Sequence, residues 1–356
     1  MKKNRYFVIA VLLLAILALV LVFANSKSTF KKALSNFAVD DTSNVTKIFM
    51  SDKNNNTVKL VKLGPGKWLV NDKYTGSKFN IELLLGTMKE IEVKETVAKA
   101  ARNNIITDMA ANSVKVEIYQ WKYRINLFTK VKLFPHEKLT KVYYVGGAIP
   151  SNRGSYMIME HASEPFVIYL AGLRGFVSPI YSPIEKYWRD YSIFKENITE
   201  IANVRMEFPT NPGNSFLVKN YRGRSPEMIT IPGNQRVENA DTLKMLNFLS
   251  SFRKINFEAL LNDMDKSRKD SILSYPPYCV ITVTDTANNQ VSIKTYRKAA
   301  APGTVDDFGQ PAPYDLDRLY ALVNGGKDFV LIQYFVFDKI LRPKSYFQPE
   351  APARKK

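Results

Sequence analysis

Residues able to carry out chemistry are few in this sequence. It contains two histidines, His136 and His161, and a single cysteine, Cys279. A metal site needs several His, Cys or carboxylate ligands brought together, and neither histidine has a second ligand at helical or hairpin spacing. His161 with Glu164 is the nearest approach to a pair, but it precedes Pro165 in a segment that reads as a solvated turn. A nucleophilic cysteine needs an exposed thiolate beside a base. Cys279 lies instead in the apolar strand YCVITV, where it reads as packing.

The carboxylates are equally unassertive. Asp315-Leu316-Asp317 would place two of them on one side of an extended segment, with Asp306 and Asp307 nearby. A calcium loop needs more oxygens and a glycine turn. No G-x-S-x-G elbow occurs. Gly64-Pro65-Gly66-Lys67 lacks the spacing and the hydroxyl of a phosphate-binding loop. A glycosidase-type pair depends on three-dimensional separation and stays open. The sequence therefore specifies no catalytic residue, no cofactor and no metal. Tyr119, Trp121, Tyr123, Tyr143 and Tyr144 could stack on sugars or on a partner, but aromatics at strand spacing read first as core and cross-strand pairs.

The elements that would position these residues begin with Tyr6 to Ala24, a stretch without charge, Pro or Gly. As a helix it would span roughly 28 Å, close to a bilayer's hydrocarbon core. With Lys2, Lys3 and Arg5 before it, the expected topology is a retained single-pass anchor in the inner membrane, N-terminus inside and bulk periplasmic. A cleaved signal peptide is the rival, since Val22-Phe23-Ala24 would suit a peptidase. Residues 25–36 read as a Lys-rich linker.

Beyond the linker, Val45, Ile48 and Met50 mark a strand, Asp52 to Asn56 a turn, and Val58, Leu60 and Leu63 the return strand. Asn80 is placed to cap a helix whose apolar stripe is Ile81, Leu84, Leu85, Met88 and Ile91. Alternation predicts strands at 114–118, 141–145, 156–159 and 166–170. The second half follows the same order. Ile201, Val204 and Met206 answer Val45, Ile48 and Met50 at an offset of 156. Asp241, with Met245, Leu246, Leu249 and Phe252, answers the capped helix at an offset of 161. The expected fold class is α+β: an N-terminal transmembrane helix followed by two similar units, each an antiparallel sheet with one main helix. The expected segments are a tail at 1–5, the anchor at 6–24, the linker at 25–36, units at 37–193 and 194–341, and a disordered tail at 342–356. Trp188, Arg189 and Asp190 fall at the boundary, where Trp188 would bury area and Arg189 would pair with a carboxylate to set the angle between units; the alternative is a ligand or partner groove between the repeats.

The net charge of +18, in a chain of 356 residues that is 46% hydrophobic, describes a globular protein. With no basic run longer than Arg354-Lys355-Lys356, the charge reads first as diffuse and solubilising, and second as a surface that attracts anionic partners. For an exported domain those are anionic lipid, acidic polysaccharide or an acidic protein, not nucleic acid. Several stretches together resemble one family. They are FAVDDTSNVTKIFMSDKNNNTVKLVK with GKWLVN, YYVGG with YMIME and EPFVIYL, WRDYSIF, and KDFVLIQYFVFDKIL. The family is the membrane-anchored domain-of-unknown-function family 4340, and the similarity runs from about Phe37 to Leu341. The resemblance implies architecture and a surface location. It brings no catalytic residues, and it suggests an accessory role beside ABC-type transport systems. The expected function is a membrane-tethered extracytoplasmic binding or scaffold protein with a protein partner and membrane lipid at its anchor. The alternatives are a glycan-acting envelope enzyme using a hidden carboxylate pair, and a structural bridge between membrane and wall.

Overall fold

Apolar alternation builds most of this protein as antiparallel sheet. The computed structural model describes residues 11–17, 34–127, 131–221 and 224–348. The chain divides into two compact units, Met1–Asp190 and Tyr191–Lys356.

In the first unit the elements are β1 (Val45–Ser51), β2 (Thr57–Gly64), β3 (Lys67–Val70), β4 (Tyr74–Thr75), α1 (Lys78–Glu90), β5 (Ile91–Thr96), α2 (Lys99–Asn112), β6 (Val114–Leu127), β7 (Val131–Ala148), β8 (Ser155–Met159) and β9 (Phe166–Leu170). The sheet order is β4-β3-β2-β1-β6-β7-β8-β9-β5. The β1–β2 turn is built by Asp52, whose Oδ1 accepts from the N–H groups of Asn54 and Asn56 at 2.9 and 3.0 Å. Buried residues on alternate strand positions, among them Ile48, Met50, Leu60, Val116 and Ile118, meet Ile81, Leu84 and Met88 of α1. Leu85 is only half-buried and Ile91 opens β5. The opposite face carries a smaller cluster of Val97, Ile149 and Val167, with Ala101 and Ile105 of α2 packed on it.

The second unit runs β10 (Ser192–Phe194), β11 (Ile201–Glu207), β12 (Phe216–Lys219), β13 (Glu227–Thr230), α3 (Thr242–Ser250), β14 (Ile255–Asn256), β15 (Ala259–Leu260), α4 (Lys266–Leu273), β16 (Cys279–Asp285), β17 (Gln290–Ala299), β18 (Tyr314–Val323) and β19 (Asp328–Gln333). Its main sheet is ordered β13-β12-β11-β16-β17-β18-β19-β15, and β10 pairs with β14 separately. The path about the β11–β16 pair follows that about β1–β6. The burial patterns of β1 and β11 are the same, with Val45, Ile48 and Met50 buried in one and Ile201, Val204 and Met206 in the other. Both strands break register after their first pair, Val45↔Gln120 and Ile201↔Asp285. Met245, Phe248 and Leu249 of α3 cover one face, and Ile272 and Leu273 of α4 pack on the other, against Tyr296, Tyr320 and Phe329.

Several expectations are corrected. Among the described residues no helix is long and apolar enough to cross a membrane. Of the Tyr6–Ala24 stretch only residues 11–17 are described, as helix. The other residues of that stretch, like 25–33 of the linker, lie outside the described residues. The fold class is thereby corrected from an anchored chain to a predominantly antiparallel-sheet protein, and the single-pass inner-membrane localisation is withdrawn with it. The expectation of one main helix per unit is corrected too. A second helix, α2 or α4, packs on each sheet's other face, over the small apolar cluster of Val97, Ile149 and Val167 in the first unit and of Tyr296, Tyr320 and Phe329 in the second. Asn80 is not the cap of α1. Ser77 is, its hydroxyl accepting from Asn80 N–H at 3.4 Å, while Asn80 donates to the Tyr187 carbonyl at 2.6 Å. Asp241 does cap α3, accepting from Lys244 N–H at 3.0 Å. In the stripe of α3, Phe248 is buried and Leu246 is exposed.

The stretch after Leu341 is also corrected over its described part. A 3-10 turn at Lys344–Phe347 places Phe347 fully buried in the second core. Its ring lies 5.2 Å from that of Phe216 and 5.3 Å from that of Phe248. Rings at these distances contribute beyond their buried area. Phe347→Ala should therefore lower unfolding stability by about 3–5 kcal/mol in denaturant titration. A loss below about 1 kcal/mol would show that the tail is not part of the core.

Candidate functional site

The feature that the sheet does not explain is the length of β6 and β7. Pairing of β1 with β6 stops at Val45↔Gln120, and pairing of β8 with β7 begins at Tyr143↔Met159. Beyond those points β6 and β7 pair only with each other, through Trp121↔Glu137, Tyr123↔Pro135, Ile125↔Leu133 and Leu127↔Val131. The result is a two-stranded arm. From Trp121 to Leu127 it reaches about 20 Å at the usual strand rise.

Strand geometry sorts its side chains. Residues two apart share a face, and residues directly opposite share that face too. Trp121, Tyr123 and Ile125 therefore lie together with Glu137, Pro135 and Leu133. They are 50%, 40%, 39% and, for Leu133, 46% exposed. Leu139 and Phe134 are exposed nearby. The other face of β6 carries Lys122 and Arg124, and Lys138 lies opposite Gln120. No carboxylate among the described residues pairs with Lys122, Arg124 or Lys138. An isolated ribbon with a half-exposed apolar face is marginal in water. Covering about 300 Å² of that face would contribute about 7 kcal/mol before the costs of association.

The arm's root is held firmly. Gln120 is buried, donates to the Asp41 carbonyl at 2.8 Å and accepts from Thr140 Oγ1 at 2.8 Å. Glu137 accepts from Lys47 Nζ at 2.8 Å and from Thr46 Oγ1 at 2.7 Å. Burial pushes the Glu137 carboxyl up, but Lys47 and Thr46 outweigh it and hold it below its usual range. The Lys47 ammonium also sits 3.8 Å from the centre of the Tyr119 ring. Lys141 donates to the Asn36 and Ala38 carbonyls, and burial lowers its pKa.

The residues singled out for chemistry are scattered. His161 is 88% exposed in its side chain and 3.8 Å from Glu160, while Glu164 pairs with Arg102 at 2.9 Å. His136 is in the arm, opposite Lys122, and its Nδ1 is buried without a hydrogen-bond partner among the described residues. Asp306 accepts from the N–H groups of Phe308 and Gln310, and Asp315 from those of Asp317 and Arg318 and from Lys298. These carboxylates build loops. Trp188, Arg189 and Asp190 close the first unit. Trp188 is fully buried in its core and its Nε1 donates to the Ser182 carbonyl at 2.7 Å. The Arg189 guanidinium lies 3.6 Å over the Tyr74 ring, and Asp190 N–H donates to the Thr75 carbonyl at 2.9 Å.

The aromatic residues of the arm are where sequence reasoning went astray. Tyr143 does lie in the core, fully buried beside Tyr181. Trp121 and Tyr123 do not. The signal was present as Lys122 and Arg124 interleaved with Trp121, Tyr123 and Ile125, in strands far longer than the usual five or six residues. No family model, no curated protein and no solved structure matches this chain.

Cys279 is fully buried, and burial pushes its thiol well above the usual range. Iodoacetamide near pH 8.5, about the ordinary thiol pKa, should leave it unmodified in the folded protein and alkylate it in denaturant, as read by mass spectrometry. Folding raises this pKa, so its contribution to stability is fully present below the unfolded pKa and is lost as pH rises toward the folded one. Rapid alkylation of the native protein would restore Cys279 as a candidate nucleophile.

Proposed function

We propose that this protein is a non-catalytic binding or scaffold protein that holds an acidic protein partner along the β6–β7 arm. The single observation that carries this is the arm itself, with Trp121, Tyr123, Ile125 and Leu133 exposed on one face and, on the other, Lys122 and Arg124, which pair with no carboxylate among the described residues. Aromatic anchors next to arginine are the residue types that dominate binding interfaces. The chain's net charge of +18 favours an acidic partner and opposes self-association. Lys122 and Lys138 in the arm also discourage edge-to-edge pairing of two copies. The resemblance seen in the sequence adds an accessory role within a larger assembly, beside an ABC-type transport system. The loop-building engagement of Asp306 and Asp315 supports binding over glycan hydrolysis.

A photocrosslinker in place of Ile125 should capture one dominant partner in cells. Lys122→Glu with Arg124→Glu should reduce that capture at least tenfold, and Trp121→Ala should do so severalfold. The melting temperature of each variant should stay within about 2 °C of the parent, since exposed substitutions change stability little. His161→Ala should capture as well as the parent. Undiminished capture by the charge-reversed protein would sink the proposal.

A further inference from the structure

The second unit contains a cleft that the arm does not involve. It encloses about 900 Å³, within the range of small-molecule sites, and is lined by Tyr275, Tyr278, Tyr314, Arg268, Arg297 and Lys298, with Tyr296 and Tyr320 in its wall. The Arg297 guanidinium lies between two rings, 4.4 Å from the centre of Tyr278 and 4.7 Å from that of Tyr314. The two rings flank the guanidinium, and among the described residues its N–H groups donate to no acceptor. Among the described residues neither Arg268 nor Arg297 pairs with a carboxylate, whereas Lys298 pairs with Asp315. Burial pushes the Asp315 carboxyl up, yet Lys298 and the N–H groups of Asp317 and Arg318 hold it below its usual range, so that pair is self-contained. Tyr275 is 69% exposed and Tyr314 is 43% exposed, leaving ring surface open.

The cleft is not a by-product of the strand path. Register makes Tyr143 and Ile293 equivalent, since they face Val116 and Ile281, which in turn face Met50 and Met206. Three residues on, the first unit has Gly146 where the second has Tyr296. A Cβ on Gly146 would lie 2.9 Å from Met109 Cγ, so α2 packs directly on that strand. In the second unit the corresponding helix, α4, has 8 residues against the 14 of α2. A shorter helix over larger tyrosines opens the space that Met109 fills in the first unit.

We infer that this cleft binds a carboxylated sugar, as in a short uronic-acid oligosaccharide. The fork of Arg297 suits a carboxylate bidentately, Arg268 offers a second cation, and the tyrosine faces suit the C–H face of a pyranose ring. A single-stranded nucleic acid also uses aromatic faces and cations. It needs a groove tracking several phosphates, and a cleft with two arginines that pair with no carboxylate among the described residues suits one or two charges better.

The test is calorimetric titration of the full chain with trigalacturonate, maltotriose and oligothymidylate. Trigalacturonate should bind at least tenfold more tightly than maltotriose. Arg297→Ala and Arg268→Ala should each weaken it about tenfold, and Tyr275→Phe should preserve it better than Tyr275→Ala. Each variant should keep the parent's melting temperature. Absent binding of trigalacturonate, equal binding of maltotriose, or tighter binding of oligothymidylate would overturn the assignment. So would full affinity in the double arginine variant.

Discussion

The contact on which the rest depends is the seating of one helix on the apolar face of each antiparallel sheet. In the first unit Ile81, Leu84 and Met88 meet the inward row of the strands. In the second, Met245, Phe248 and Leu249 do the same, joined by Phe216 and Phe347. Each of these side chains is essentially removed from water. At about 1.5–3 kcal/mol for a buried large apolar side chain, these few residues outweigh any surface ion pair in the molecule. The alternation of the strands is fixed against that helix, because a slip of one residue would turn the whole inward row toward solvent.

Once one face is committed, the other is free to differ. In the first unit the outer face is closed by α2, with Met109 lying on Gly146. In the second, a shorter α4 lies near Tyr296 and Tyr320, and a tyrosine-lined cleft remains beside Arg297. The same strand path thus supports a filled surface in one unit and an open one in the other, because side-chain volume on the outer face has no bearing on the inner core.

The arm follows from a different limit. A strand is internal to a sheet only while neighbours pair with its backbone on both sides. β6 and β7 outrun their neighbours and continue as a pair, with Gln120, Glu137 and Lys141 pinning the root. This is economical for a protein that offers surface to a partner. The rigid sheet sets the arm's direction, and the projecting residues are released from core packing and available for contact.

Local periodicity determined much of this from the sequence alone. The buried rows at Val45, Ile48 and Met50 and at Ile201, Val204 and Met206, the cap at Asp241 and the burial of Cys279 were legible, because each depends on residues close in the chain. Tertiary structure decided the rest. Whether Trp121 and Tyr123 are core or surface depends on where β1 and β8 end, which no pattern within β6 encodes. Whether Asn80 or Ser77 caps α1 depends on Tyr187, whose carbonyl draws the Asn80 side chain away. The burial of Phe347 needs a pocket built by Phe216 and Phe248, more than ninety residues earlier. Arg297 acquires its meaning only when Tyr278 and Tyr314 are brought to either side of it. Periodicity reports which way a side chain points, and only the long-range pairing of strands decides what stands there to meet it.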